Sequence, residues 1–203
     1  MTRSIQKILK RIFDFLAAVF WLILLSPLFL LIAILVKITS KGPVFYRDTR
    51  VGTGGKEFIA YKFRSMVENA ANMGLGIEVA ENDSRITGVG EFLRHWSLDE
   101  LPQLINVLTG EMSLVGPRPA LPHQVAKYSD FEKRRLKVRP GITGWAQING
   151  RNLISWKKRI ELDIWYIDHW SLWFDLKILL LTPISALKKE GLYGEGGMVR
   201  DYE

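Results

Sequence analysis

The sequence contains no cysteine, which excludes disulfide staples, thiolate metal sites and cysteine nucleophiles. Histidine is scarce: His95, His123 and His169 stand far apart, with no paired ligand spacing, so a zinc site is not expected. No zinc-finger pattern, leucine zipper or aromatic-rich RNA motif accompanies the positive charge, so nucleic acid is not the expected partner. Acidic residues are outnumbered, 21 against 28 Lys and Arg, and the net charge of +7 calls for an acidic partner. Hydrophobic residues make up 48% of the chain and the mean hydropathy is +0.06, at the apolar end for a soluble protein. Anionic lipid and phosphorylated metabolites therefore lead the field. At 203 residues the chain suits one sizeable domain with a small appendage.

One long apolar run is present, Phe15 to Val36, preceded by Arg3, Lys7, Lys10 and Arg11. At about 22 residues it is long enough to span a bilayer, and no small-residue cleavage site follows it. Ser26-Pro27 lies at its middle, where proline removes an N–H and predicts a sharp kink. Lys37, Lys41, Arg47 and Arg50 then follow as densely as the first four cations precede. The positive-inside rule prefers both basic ends on one side. A single straight span is the simplest reading, but a re-entrant hairpin bent at Ser26-Pro27 satisfies both ends.

Lys41-Gly42-Pro43 breaks the helix. Val44–Val51 and Phe58–Phe63 are β-branched and aromatic, with Gly52-Thr53-Gly54-Gly55 between them, which predicts a β-hairpin. Lys62 and Arg64 would share one strand face, as a solvated basic surface or as phosphate-binding charges. Residues 67–90 read as a polar loop with a short helix, and Gly88-Val89-Gly90 lacks the dinucleotide fingerprint. A short helix carrying Arg94 follows, from Glu91 to Trp96.

Leu98, Leu101, Leu104, Ile105 and Leu108 form a helical stripe stopped by Gly110. Ser97 and Glu100 fit a capping box, with Pro102 placing the start nearer Asp99. Asp99 and Glu100 then occupy a first turn. Acidic residues are favoured there by the helix dipole alone. Two adjacent carboxylates also attract a hard divalent cation such as Mg2+, which takes one or two carboxylates plus phosphate oxygens. Arg118 is held between Pro117 and Pro119, and its planar fork suits bidentate phosphate recognition. The stretch Arg139 to Asn152 carries Thr143, Gln147, Asn149 and Arg151 among three glycines. It has the directed donors, acceptors and charge of a binding loop.

Taken together, these blocks resemble the bacterial sugar transferases, in particular the small monotopic phosphoglycosyl transferases. The resemblance covers about residues 7 to 188. It rests on the Ser26-Pro27 run, Tyr61-Lys62-Phe63-Arg64, Ser97-Leu98-Asp99-Glu100-Leu101-Pro102-Gln103, Gly116-Pro117-Arg118-Pro119, and Arg139-Pro140-Gly141-Ile142-Thr143-Gly144 with Asn149-Gly150-Arg151. It implies transfer of a sugar-1-phosphate from a UDP-sugar to polyprenol phosphate with release of UMP. Asp99 would be the covalent nucleophile. Glu100 would hold the pair's geometry, the Mg2+ or the acceptor's proton. Substrate would meet Lys62, Arg64, Arg94, Arg118, Arg139, Thr143, Gln147, Asn149 and Arg151. It further implies a monotopic protein on the cytoplasmic face of the bacterial inner membrane, with membrane lipid as a partner and a homodimer allowed.

Further on, Tyr128 to Val138 reads as a charged helix and Ile154 to Asp168 as another, with Asp163 near the site. Leu172 to Leu181, closed by Pro183, reads as a buried core helix or a membrane-facing one. Trp156, Trp165, Trp170 and Trp173 cluster there, and tryptophan favours the headgroup zone. The expected architecture is α+β and mainly helical. It comprises a re-entrant anchor (1–40), a catalytic domain (41–190) with a small β-hairpin and amphipathic interfacial helices around one core, and a mobile tail (191–203). Two rival readings are a lipid-binding scaffold, which would need neither Asp99 nor metal, and a lipid-phosphate phosphatase, whose histidine nucleophile is not seen. The residues that would select the sugar are not legible.

Overall fold

The computed structural model describes residues 2–187 and 191–199. Helices α1 (Arg3–Leu24) and α2 (Ser26–Thr39) are bent by 61° relative to one another. Pro27 has no N–H to give the Ile23 carbonyl, and the Ser26 hydroxyl donates to that oxygen instead, at 2.8 Å. The expected kink is therefore present. Among the described residues no single helix is long and apolar enough to cross a membrane, whereas the bent pair passes that test together.

Helix α1 has two unlike faces. Ile5, Ile8, Leu9, Ile12 and Leu16 are exposed on one. Lys10, Asp14 and Ala18 lie on the other and enter the body of the protein. Ala18 joins a core of Phe58, Ala60, Leu104, Val107, Met112 and Ile178. Asp14, 2% exposed, accepts from the Ser113 hydroxyl at 2.8 Å and the Leu114 N–H at 3.1 Å. Lys10 donates to Asp175 at 2.6 Å and to the Val115 carbonyl. Arg11 donates to the Val107 and Leu108 carbonyls, and Arg50 to Asp48 and the Pro119 carbonyl. This corrects the reading of Lys10, Arg11 and Arg50 as charges flanking a membrane run: all three are spent on internal partners.

The hairpin forms where expected, as β1 (Phe45–Val51) and β2 (Glu57–Phe63), antiparallel with Tyr46 opposite Lys62 and Asp48 opposite Ala60. The polar loop that follows contains the short strand β3 (Val79–Ala80) and is organised by Arg85. That side chain is 5% exposed and donates to the Ala70, Met73, Gly76 and Glu78 carbonyls and to Asp83. Four carbonyls of an irregular segment thus find partners without a regular element. Helix α3 (Gly88–His95) starts at Thr87, whose hydroxyl accepts from the Gly90 N–H at 2.9 Å.

The predicted helix from Leu98 is instead a 3-10 turn, Leu98–Glu100, followed by helix α4 (Gln103–Thr109). Pro102 cannot give the Leu98 carbonyl an N–H, and Leu101 takes that oxygen at 3.2 Å. The predicted capping box is absent as well, because Ser97 sits at φ 54 and its side chain caps nothing. Gly110 ends α4 in the left-handed region, as expected.

Strand β4 (Ser113–Val115) is joined by α5 (Pro122–Val125) and a 3-10 stretch, Glu132–Lys137, to β5 (Gly141–Thr143), its parallel partner. The helix expected over Tyr128–Val138 is thus mostly a tight turn. The Ser129 N–H donates to the Glu132 carboxylate at 2.7 Å and the Ser129 hydroxyl accepts from the Glu132 N–H at 3.4 Å, a capping box that starts the turn only after Ser129. A Cβ on Gly141 would lie 2.1 Å from the Gly116 nitrogen, so the two motif loops can approach only through glycine.

Helices α6 (Trp145–Ile148), α7 (Trp156–Asp168) and α8 (Leu172–Leu187) complete the body. α8 continues through Pro183 rather than ending there. Thr182 fastens that turn, bonding the Ile178 carbonyl and Thr143, each at 2.8 Å. α8 buries Asp175 and Ile178 while exposing Trp173, Leu176, Leu180, Ile184 and Leu187, so it is not a buried core helix. Beyond Gly191, a stretch expected to be mobile, strand β6 (Met198–Val199) pairs antiparallel with β3. The rest of that expected tail, 200–203, lies outside the described residues. The arrangement is mixed helix and strand, as α+β implies.

Candidate active site

Asp99 and Glu100 project from the 3-10 turn, whose position is fixed on two sides. Leu98 packs with Val36, Phe63 and Leu93. On the other flank, Asn106 of α4 is fully buried and clasps the β2 edge, accepting from the Tyr61 N–H at 3.1 Å and donating to the Ile59 carbonyl at 2.7 Å. The carboxylates are therefore set against β2, beside Lys62.

Glu100 is saturated. Arg118 grips it with two bonds, Nη2 to Oε1 at 2.5 Å and Nη1 to Oε2 at 3.2 Å. Lys62 Nζ lies 3.7 Å from the same Oε1 and 3.4 Å from Asp48, which in turn holds Arg50. Burial works against the Glu100 charge, but Arg118 and Lys62 outweigh it and keep its carboxyl well below the ordinary range. Asp99 is the opposite case. It is 9% exposed and accepts no hydrogen bond among the described residues. Burial first, then the Glu100 charge, push its carboxyl up to about 6, against the pull of Lys62, Arg94 and Arg118. One carboxylate is locked and the other is free.

The surroundings are cationic. Arg94 lies close enough to act on Asp99 and has a buried Nε with no hydrogen-bond partner among the described residues. Arg151, at φ 48, feels Arg118, Glu100 and Asp99. Arg159 is lowered to about 10 by burial and by Arg118 and Arg135.

The structure thus brings Asp99, Glu100, Lys62, Arg94, Arg118 and Arg151 together. It turns Arg64 elsewhere, into bonds with the Lys41 and Ser40 carbonyls and the Ser40 hydroxyl that anchor the end of α2. Arg139 is exposed and donates to the Gly110 carbonyl at 2.9 Å. Thr143 bonds Thr182, and the exposed Asn149 bonds the Trp145 carbonyl. Gln147 is buried with both amide atoms unpartnered among the described residues. Asp163, expected near the site, forms a buried ion pair with Arg135 at 2.8 Å.

Three contributors escaped the sequence reading: Asp48, Arg50 and Arg159. The hairpin register carried a signal for the first two, because residues 46, 48 and 50 share the Lys62 side of the ribbon. Arg159 left none.

The model of the bacterial sugar transferase family matches residues 5–189. The chain belongs to that family. Among its sugar transferase relatives is the uncharacterized sugar transferase EpsL of Bacillus subtilis, 48% identical over 91% of this chain and 90% of the relative. The exopolysaccharide production protein ExoY of Rhizobium meliloti is 42% identical over 94% of this chain and 91% of its own length. The UDP-glucose:undecaprenyl-phosphate glucose-1-phosphate transferase of Escherichia coli is 46% identical over 94% of this chain. The match covers 42% of that longer relative.

Proposed function

We infer that this site moves a sugar-1-phosphate from a UDP-sugar to polyprenol phosphate through a covalent intermediate on Asp99. One observation carries the reading: of two adjacent enclosed carboxylates, Glu100 is consumed by Arg118 and Lys62, while Asp99 is left unbonded among cations. In the first step an Asp99 oxygen attacks the β-phosphorus. An oxygen–phosphorus bond forms, the bond to the bridging oxygen breaks, and UMP departs with that electron pair. In the second step a polyprenol phosphate oxygen attacks the same phosphorus and returns Asp99 as carboxylate. Splitting the displacement lets an aqueous donor and a lipidic acceptor use the site in turn. Lys62, Arg94, Arg118 and Arg151 offset phosphate charge, and Glu100 fixes the aim of Arg118. The relative from E. coli, named for a UDP-glucose donor and undecaprenyl phosphate acceptor, supports both substrate classes.

No group of three His, Cys, Asp or Glu side chains placed to hold a metal occurs among the described residues. A single unbonded carboxylate next to a locked one still fits Mg2+, which takes few protein ligands and completes its shell with phosphate oxygens and water. Asp99, with Glu100 beside it, would hold the ion. When bound, Mg2+ would neutralise charge on the diphosphate.

The apolar surfaces support a bilayer location. α8 turns its Asp175 inward and its Trp and Leu side chains outward, the reverse of a soluble helix. Helix α1 likewise exposes Ile5, Ile8, Leu9, Ile12 and Leu16, and the 61° bend suits a hairpin entering and leaving one leaflet. We place the protein as monotopic on the cytoplasmic face of the bacterial inner membrane.

In single-turnover mixtures of enzyme, Mg2+ and UDP-sugar without polyprenol phosphate, a burst of UMP and a phosphosugar mass adduct on Asp99 are expected. An Asp99→Asn enzyme that still gives the burst would remove the reading.

A further inference from the structure

A second cationic concavity lies away from Asp99. It is a groove of about 960 Å³ between α1, the β1–β2 turn, the end of the 132–137 stretch and the α7–α8 turn, and none of Lys62, Arg94, Asp99, Glu100 or Arg118 lines it. Six cations do: Arg3, Lys7, Lys10, Lys56, Lys137 and Arg139. Two of them are committed, Lys10 to Asp175 and Arg3 to the Ile167 carbonyl. Arg139 uses only its Nε, on the Gly110 carbonyl. Lys7, Lys56 and Lys137 form no ion pair among the described residues. Of the two carboxylates in the wall, Glu57 and Glu111, Glu111 is bonded by Asn106 and Thr109.

The bland account is a solvated basic surface. The shape argues against it. The free cations come from three separate segments of chain and converge on one groove, whose walls also include Phe58 and Trp170. Like charges brought together this way repel unless an anion sits between them. The volume is that of a small-molecule site, far larger than one phosphate needs.

We propose that this groove is a second anion site, separate from the catalytic one, for a phosphate-bearing ligand: a lipid headgroup or a soluble phosphate compound. Lysine point charges suit a ligand bound by charge rather than by a fixed bidentate fork. Arg139, which the sequence placed in the substrate set, lines this groove.

The test uses the full chain and a Lys7→Gln/Lys56→Gln/Lys137→Gln variant, with Lys→Arg at the same positions as its folding control. Pyrophosphate titration followed by calorimetry is one arm. Sedimentation with phosphatidylglycerol–phosphatidylcholine vesicles, against phosphatidylcholine alone, is the other. Losing three lysines that face an anionic ligand is expected to weaken binding by about tenfold or more in one arm. The Lys→Arg protein retains that binding, and thermal melting is unchanged. Loss confined to pyrophosphate identifies a soluble ligand; loss confined to phosphatidylglycerol vesicles identifies a headgroup. Arg118→Ala, which disturbs the catalytic site, leaves the groove's binding in place, so the groove can stand even if the transfer reaction fails its own test. Unchanged binding in both arms, or binding abolished only by Arg118→Ala, overturns the proposal.

Discussion

Replacing Asp99 by Asn should make the protein more stable at neutral and alkaline pH while removing its chemistry. The carboxyl is raised from its ordinary 3.8 to about 6 because burial and the neighbouring Glu100 charge oppose ionisation. The folded state therefore holds the Asp99 proton more tightly than the unfolded state does. Its contribution to stability is fully present below the unfolded value and is lost as pH rises through about 6. At 1.36 kcal/mol per pK unit the ionised form costs about 3 kcal/mol once both states are deprotonated, and about 1–3 kcal/mol after relaxation around the coupled pair. Asn carries no charge and escapes this cost. For a chain of this size, ~1 kcal/mol moves Tm by roughly 2–4 °C. Thermal melts of both proteins in one detergent, from about pH 5 to about pH 8, should show the advantage of the Asp99→Asn variant growing by several degrees as pH rises. A gap that stays constant, or that widens on acidification, would refute a charge-penalised Asp99.

Arg118→Ala removes both bonds to Glu100 and is expected to lower kcat/KM for UMP release by roughly 10²–10³; Arg118→Lys should recover only part, since one ammonium cannot replace the fork. Arg85→Met strips the four-carbonyl clasp and breaks the ion pair with Asp83, for about 1–3 kcal/mol in urea unfolding, with new proteolytic cleavage between residues 70 and 80. Ser4→Cys and Thr39→Cys, each the sole cysteine in its protein, should resist a membrane-impermeant thiol reagent on intact cells and react after permeabilisation. Labelling of one end from outside would replace the hairpin with a span.

What the sequence made legible was local. The hairpin followed from alternation and a glycine-rich turn, and the kink from one Ser-Pro pair, down to the carbonyl that Ser26 rescues. Asp99, Glu100 and Arg118 stood out through their spacing and their prolines. The misreadings share a physical cause, competition from groups remote in sequence or from tight local bonds. Lys10 finds Asp175 across 165 positions, and no window along the chain contains both. Arg64 alternates correctly with Lys62, yet β2 ends at Phe63 and the next side chain is free to anchor α2. Ser97 matched a cap by composition, but its left-handed backbone denies the geometry. Each was a right residue type awaiting a partner that only the folded chain supplies.

The inward row on α1 has a consequence for how this enzyme can be handled. Asp14, Lys10 and Arg11 supply the hydrogen bonds that Ser113, Asp175 and the end of α4 depend on. Trimming residues 2–24 to obtain a water-soluble fragment would strip Ala18 from the core and leave the buried Asp175 without its Lys10 counterion. Helix α1 and the body that carries Asp99 are built on one core, and the protein must be studied with residues 2–24 in place.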